Sequence, residues 1–372
     1  MDDTLIYKHW ISEINDIGCS RINALMERFG SPEKIYKANL KELKETDGIG
    51  EVYANAIIKS RNLDEKLREW DKWEKDGVKY IFSDDDKYPE SFKAYANMPF
   101  RLFYSGKLPD GKAPTISVVG ARACSSYGKA VTLTLAERFA GEGWQIISGM
   151  ATGIDAYAHM GALRAGGYTC AVLGSGIDVC YPIVNRGIYN DIKETGCIIS
   201  EYEPGEEPKR AYFPYRNRLI AALSDAVIVI EARKKSGSLI TADIALEQGK
   251  EVYVLPGRIT DPLSMGCIGL LNEGATALTD LNDLRECFPI KRKINKAVPL
   301  NKHNQKNVNN TNALDTNYLL LYSCLDLSPK SLESLTVESS IPHDEAAVLI
   351  TRMKLEGKVD EIAHNLYVRT AF

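Results

Sequence analysis

The residues able to do chemistry in this sequence are a few cations set among glycines and hydroxyls. Arg122 follows Gly120 and precedes Ser125 in V-V-G-A-R-A-C-S-S-Y-G-K (118–129). Arg216, Asn217 and Arg218 follow Phe213 in F-P-Y-R-N-R-L-I (213–220), and Lys234, Lys235, Ser236, Gly237 and Ser238 form a basic, hydroxyl-rich loop. A guanidinium beside a glycine turn suits a phosphate. So do the free backbone N–H groups where a glycine-rich turn enters a helix. The longest such turn is I-I-S-G-M-A-T-G-I-D (146–155), with Ser148, Gly149 and Gly153, and its Asp155 sits where a carboxylate suits a helix start. Cations, hydroxyls, amides and aromatics in one place fit a single-stranded nucleic acid, whose phosphates take the cations while its splayed bases stack. Plainer readings stay open for each piece. A glycine turn can be a tight connection, Arg216 and Arg218 can pair with Glu201 or Glu231, and Lys234-Lys235 can be a solvated loop.

The elements that must position these residues are short apolar runs alternating with helical patterns. Six runs, at 115–119, 145–147, 169–173, 197–200, 226–230 and 251–255, are continuous enough for strands buried on both faces, with a helix expected over 127–142. This predicts a doubly wound parallel α/β sheet, Rossmann-like, over 113–288. Each run ends in Gly, Ser, Glu or Pro-Gly, so the carboxyl ends share a crevice where ligands of such sheets gather.

Residues 1–112 read as a helical domain with connecting strands. L-K-E-T-D-G-I-G-E-V-Y-A-N-A-I-I (43–58) has the pattern of a helix-hairpin-helix, although Glu45, Asp47 and Glu51 flank its glycines and argue against strong phosphate binding there. Residues 289–313 form a basic, Asn-rich linker. Residues 314–372 read as three helices and a hairpin, a winged-helix pattern with 344–355 in the recognition position. Arg352 and Lys354 face Asp344, Glu345 and Glu356 there, which favours protein contact over base reading.

Spacing excludes several enzymes. Gly128-Lys129 is followed by Ala130 and lacks the earlier glycine of a phosphate-loop ATPase, and Gly174-Ser175-Gly176 lacks the third glycine of a dinucleotide fingerprint. His159 reads as a packing or capping residue, and Asp155, Glu201 and Glu231 have no diagnostic acid-pair spacing. Eight singly scattered cysteines suggest neither a zinc ribbon nor a disulfide framework, so no metal and no cofactor are expected. A formal charge of −4 excludes a uniformly basic surface but not a local basic groove. No apolar run approaches the roughly 20 residues of a membrane helix, and the first residues are unlike a signal peptide. A cytoplasmic protein without membrane contact is expected.

Taken together, V-V-G-A-R (118–122), S-G-M-A-T-G-I-D-A-Y-A-H (148–159), A-V-L-G-S-G-I-D-V-C-Y-P (171–182), F-P-Y-R-N-R-L-I-A-A-L-S (213–224), S-G-S-L-I-T-A (236–242), V-L-P-G (254–257) and G-C-I-G-L-L-N-E-G-A (266–275) resemble the DprA/Smf DNA-processing family. The resemblance implies an extended Rossmann-like domain that binds single-stranded DNA, forms a homodimer and helps load the RecA recombinase, in natural transformation or repair, without catalysis. It places Arg122 on backbone phosphate and Ser148 and Gly149 along the groove. It puts Arg216, Asn217 and Arg218 at or behind the binding edge, and Lys234 or Lys235 with Ser236, Gly237 and Ser238 on another phosphate. Relatives often carry a lysine after the Tyr-Pro pair. Here Ile183 follows Tyr181-Pro182, and Arg186 is the candidate replacement. The main rival is a Rossmann-like hydrolase that cleaves the glycosidic bond of nucleoside monophosphates, whose P-G-G-x-G-T-x-x-E signature is missing here, with Ile244 at the glutamate position. A small-nucleotide sensor is the third reading.

Overall fold

Continuous apolar runs become the strands of one large sheet, and the order of those strands creates a crevice. The computed structural model describes residues 3–14, 17–280, 284, 313–325 and 329–369. Six helices come first: α1 (Asp3–Ser12), α2 (Cys19–Phe29), α3 (Pro32–Lys37), α4 (Leu40–Lys44), α5 (Glu51–Lys59) and α6 (Leu63–Lys75). The strands are β1 (Lys79–Phe82), β2 (Arg101–Gly106), β3 (Thr115–Val119), β4 (Gln145–Ser148), β5 (Thr169–Val172), β6 (Cys197–Ser200), β7 (Ala226–Val229), β8 (Glu251–Val254) and β9 (Thr276–Ala277). Between and after them run α7 (Ser126–Gly141), α8 (Ile154–Arg164), α9 (Arg186–Thr195), α10 (Tyr212–Ala222), α11 (Gly237–Glu247) and α12 (Met265–Asn272).

The sheet order is β1-β2-β6-β5-β4-β3-β7-β8-β9. β3 to β9 pair in parallel, while β1 and β2 add an antiparallel edge against β6. All six runs expected as strands are strands, buried on both faces apart from Glu251. One face packs Ile116, Val118, Ile146 and Ile228 against Leu135, Phe139 and Ala158 of α7 and α8. The other packs Val119, Ile147, Val227 and Val229 against Leu219, Ile220 and Ala242 of α10 and α11. The chain leaves β3 toward β4, β5 and β6, then returns on the opposite side as β7. Connections diverge at β3 and β7, and the divergence opens a crevice beyond their carboxyl ends.

The N-terminal helices enclose their own core of Trp10, Leu25, Ile35, Leu43 and Ile57, which Phe82 and Phe100 join. The expected hairpin forms between α4 and α5, with Gly48 at φ +73°. Lys44 pairs with Glu51 across it at 3.1 Å, and the Gly48 carbonyl accepts from Arg21. Arg101 on β2 ties the helices to the sheet by donating to Glu13 of the helical region at 2.5 Å and to Glu203 beyond β6 at 3.0 Å.

The C-terminal segment has helices Ala313–Cys324, Leu332–Ser339 and His343–Leu355. They pack on β10 (Lys330–Ser331), β11 (Val359–Ala363) and β12 (Leu366–Arg369), a sheet of order β10-β12-β11. This is the arrangement its sequence pattern predicts, with β10 as an added strand. The basic stretch 289–312 lies outside the described residues. Among the described residues no helix is long and apolar enough to cross a membrane, and no cluster of three or more His, Cys, Asp or Glu could hold a metal ion.

Candidate nucleic-acid interface

A cavity of about 620 Å³ lies at the carboxyl ends of β3 and β4, roofed by the first turns of α10 and α11. Of the residues singled out in the sequence, Gly120, Arg122, Phe213, Arg216, Asn217, Lys235, Ser236, Gly237 and Ser238 all line it. Arg122 is exposed, and its guanidinium lies over the Phe213 ring, 5.6 Å from the centroid. Phe213 in turn packs against Tyr181, with centroids 5.6 Å apart and planes tilted by 37°. Tyr181 is 44% exposed. A cation and two rings in series thus form one wall of an open groove.

The helix N-termini around this groove are not equivalent. At α7, Ser125 caps the helix by accepting from Gly128 N at 3.0 Å, but its own N–H and hydroxyl donate to the buried carboxylate of Glu231. An internal anion therefore already sits where a dinucleotide fold would place its phosphate. At α8 the Asp155 carboxylate accepts from Ala151 N at 3.3 Å, and Ile154 N donates to Ala121 O. The N–H groups of Ala151 and Ile154 at this turn are thus engaged internally. α11 shares with α7 a serine cap, Ser236, and an acid-free first turn, but here Ser236, Gly237 and Ser238 face the groove beside Lys235. Its dipole and its cation act on the same space.

Beneath the groove, Arg216 is buried and donates to the carbonyls of Gly149, at 2.7 Å, and Val172. Burial lowers its pKa to about 10, with Asp155 opposing, so it stays cationic at neutral pH. Burial also raises Asp155, against Arg216 and the backbone N–H groups. Only glycine fits between them: a Cβ on Gly149 would fall 2.5 Å from Arg216 Nη2 and 2.7 Å from Asp155 Oδ2. Gly153, at φ +77°, presses against the Ala121 carbonyl, fixing the turn that carries Arg122. Asn217 donates to Gly237 O at 3.2 Å and holds the α11 entry in place.

Other sequence-selected residues lie elsewhere. Ser148 is fully buried and donates to Val118 O at 2.7 Å, so it braces β3 against β4 beneath the groove rather than lining it. Ser125 is engaged by Glu231. Arg218 points away from the crevice and donates to both oxygens of Glu201 at 2.7 Å, the plainer of the two readings its sequence allowed. Arg186 is exposed at the start of α9, and Lys234 is exposed beside Lys235; neither lines the cavity. His159 is buried, bonded through Nδ1 to Thr169 at 2.7 Å and lowered to about 3 by burial and then by Arg216, as befits a packing residue. Arg210, exposed on the groove rim, was not singled out from the sequence. It stands in an acid-rich irregular stretch, E-P-G-E-E-P-K-R (203–210), that carries no periodic signal.

Residues 79–289 match the family model described as DNA recombination-mediator protein A. DNA processing protein DprA of Streptococcus pneumoniae is 45% identical over 200 residues, covering 54% of this chain and 71% of that protein. The X-ray structure of DprA from S. pneumoniae superposes with a TM-score of 0.65 at 35% identity, over 77% of this chain and 98% of that one. DNA processing protein A from Helicobacter pylori, whose structure addresses its single-stranded DNA binding mode, gives 0.51 at 32% identity over 56% and 95%. With the family model matching more than half of its residues, the chain belongs to the DNA recombination-mediator protein A family.

Proposed function

We propose that the crevice at the carboxyl ends of β3 and β4 binds single-stranded DNA. The observation that carries this reading is the series Arg122, Phe213, Tyr181, which lines one cavity together with Lys235 and the acid-free start of α11. The cations and N–H groups suit phosphates, and the rings of exposed Tyr181 and half-buried Phe213 suit unstacked bases, a pairing that a duplex with its bases enclosed does not exploit. The H. pylori relative, described for its single-stranded DNA binding, supports the same reading.

In this account Arg122, Lys235, Ser236, Gly237 and Ser238 contact phosphate, with Arg210 added at the rim and Lys234 and Arg186 on the approaches. Phe213 stacks on a base. Gly120, Gly149, Gly153, Ser148, Arg216, Asn217 and Arg218 position these groups, while Ser125 caps α7 and holds Glu231. Family membership supports the wider role: a stoichiometric recombination mediator in transformation or repair that holds a single strand, acts as a homodimer and presents the strand to RecA in the cytoplasm. The division into 1–112, 113–288, 289–313 and 314–372 belongs to the same proposal, with β1 and β2 extending the central sheet.

One observation keeps the hydrolase reading in play: Asp155, held above its ordinary range by burial, is a carboxylate of the crevice wall. Its engagement with Ala151 N and its place beside Arg216 fit a brace better than a free acid. Base release from nucleoside monophosphates would favour the hydrolase; absence of release together with tight oligonucleotide binding favours the mediator.

A further inference from the structure

A second cavity, of about 780 Å³, lies on the far side of α10, between that helix, the end of α11 and residues 94–97. Its volume is within the range of small-ligand sites. Phe213, Arg216 and Asn217 face the crevice, whereas Tyr215 and Arg218 face this cavity, and Pro214 belongs to both walls. The two spaces are therefore neighbours across one exposed proline. Arg218 lies over the Tyr215 ring at 3.9 Å, and Tyr215 as a whole is 47% exposed.

The polar groups here are incompletely used. The Arg218 side chain is only 4% exposed, yet its bonds to Glu201 are made through Nη2 alone. Its Nε and Nη1 have no hydrogen-bond partner among the described residues, and neither has Oε1 of Gln248, which lines the same cavity. Buried donors and acceptors left in this state are uncommon in folded proteins. Glu201 neutralises Arg218, and Glu247 adds a negative charge to the wall, so the cavity does not suit a phosphate. Arg218 lies on one face of Tyr215, and the exposed remainder of that ring suits a neutral, planar ring stacked on it.

We propose that this cavity takes a nucleobase of the strand whose phosphates lie in the crevice, with the base stacked on the open face of Tyr215, across the ring from Arg218. The proposal rests on the single-stranded DNA reading of the crevice and extends it by one subsite past the first turn of α10. The crevice contributes charge and the second cavity contributes stacking.

The test uses the full chain and oligothymidylates of increasing length. Affinity should rise in a second step once the strand passes Pro214, by about tenfold, the effect of one base stacked on an aromatic ring. That step should depend little on salt. Tyr215→Ala should remove it while leaving the shortest oligomers bound as before, and Tyr215→Phe should retain it. Arg122→Ala should weaken every length. In wild type, a single abasic residue walked along a long oligomer should cost most at the position that reaches the cavity, which needs no folded variant. Loss with Arg122→Ala but none with Tyr215→Ala, or an abasic walk without such a position, overturns the subsite and leaves the crevice standing. No effect of Arg122→Ala overturns the crevice reading itself. A second step as salt-sensitive as the first overturns the assignment to a base.

Discussion

Ser125 and Glu231 are joined by two hydrogen bonds, from the serine N–H at 2.8 Å and from its hydroxyl at 2.5 Å, across the mouth of α7. The carboxylate comes from the end of β7 and occupies the helix terminus nearest the point where the strand order reverses. This one contact separates the fold from its dinucleotide-binding counterparts. The anion their ligand would supply is here part of the chain, and the phosphate contacts proposed above lie at α11 instead. Replacing Ser125 with Ala removes a helix cap and one partner of a buried carboxylate, so stability should fall by about 2 kcal/mol in urea unfolding. Affinity of the folded variant for single-stranded DNA should change little. A large affinity loss at unchanged stability would place Ser125 on the DNA instead.

Gly153→Ala should be more damaging. The backbone there is at φ +77°, and a Cβ would lie 2.3 Å from the Ala121 carbonyl. Left-handed strain and overlap together should cost about 3 kcal/mol. Because the displaced segment carries Arg122, DNA affinity should fall with it. A variant of normal thermal stability would contradict this packing.

Phe213→Ala tests the stacking wall. The expected loss is about 1–3 kcal/mol of binding for one base, with the salt dependence unchanged, since no charge is removed. Calorimetric titration at two salt concentrations measures both quantities. A change in salt slope equal to that of a lost cation would show that the ring acts only by holding Arg122.

Acid should destabilise the fold through its buried histidines. His9 and His159 are both pushed down to about 3, first by burial and then by the nearby Arg101 and Arg216 respectively. The unfolded chain protonates them near the ordinary 6.5, so between these values the unfolded state binds more protons. Stability therefore falls as pH drops from 6.5 toward 3. Each ring should contribute roughly 1 kcal/mol per pH unit below about 6. Asp155, raised by burial, has the opposite sign and softens the effect at the acid end. Urea unfolding between pH 7 and 4.5 should show the slope, reduced in His159→Gln; a flat profile would contradict it.

The sheet was legible in the sequence because strands buried on both faces are apolar at nearly every position: residues 226–229 meet that condition without interruption, and 115–119 does so apart from Thr115 and Ser117. The crevice followed from where those runs stop. Side-chain direction was less legible. Arg216 and Arg218 are two residues apart, about 200° around a helix, so one reaches under the crevice and the other turns to Glu201. Nothing in the local sequence says which. Ser148 and Ser125 have the residue type of a phosphate ligand, but their hydroxyls are engaged by Val118 O and by Glu231, partners that are remote in sequence. Arg210 escaped notice because an irregular segment offers no period from which a face can be read.

The most direct measurement is the affinity of wild type and Arg122→Ala for a labelled single-stranded oligonucleotide across a salt series, beside the duplex and a mononucleotide. The wild type should bind the single strand more tightly than either competitor, with a log–log slope of about −0.7 for each phosphate neutralised. Arg122→Ala should bind more weakly and with a slope shallower by about that amount. Equal binding by the variant, or preference for the mononucleotide, would contradict the assignment of this crevice to single-stranded DNA.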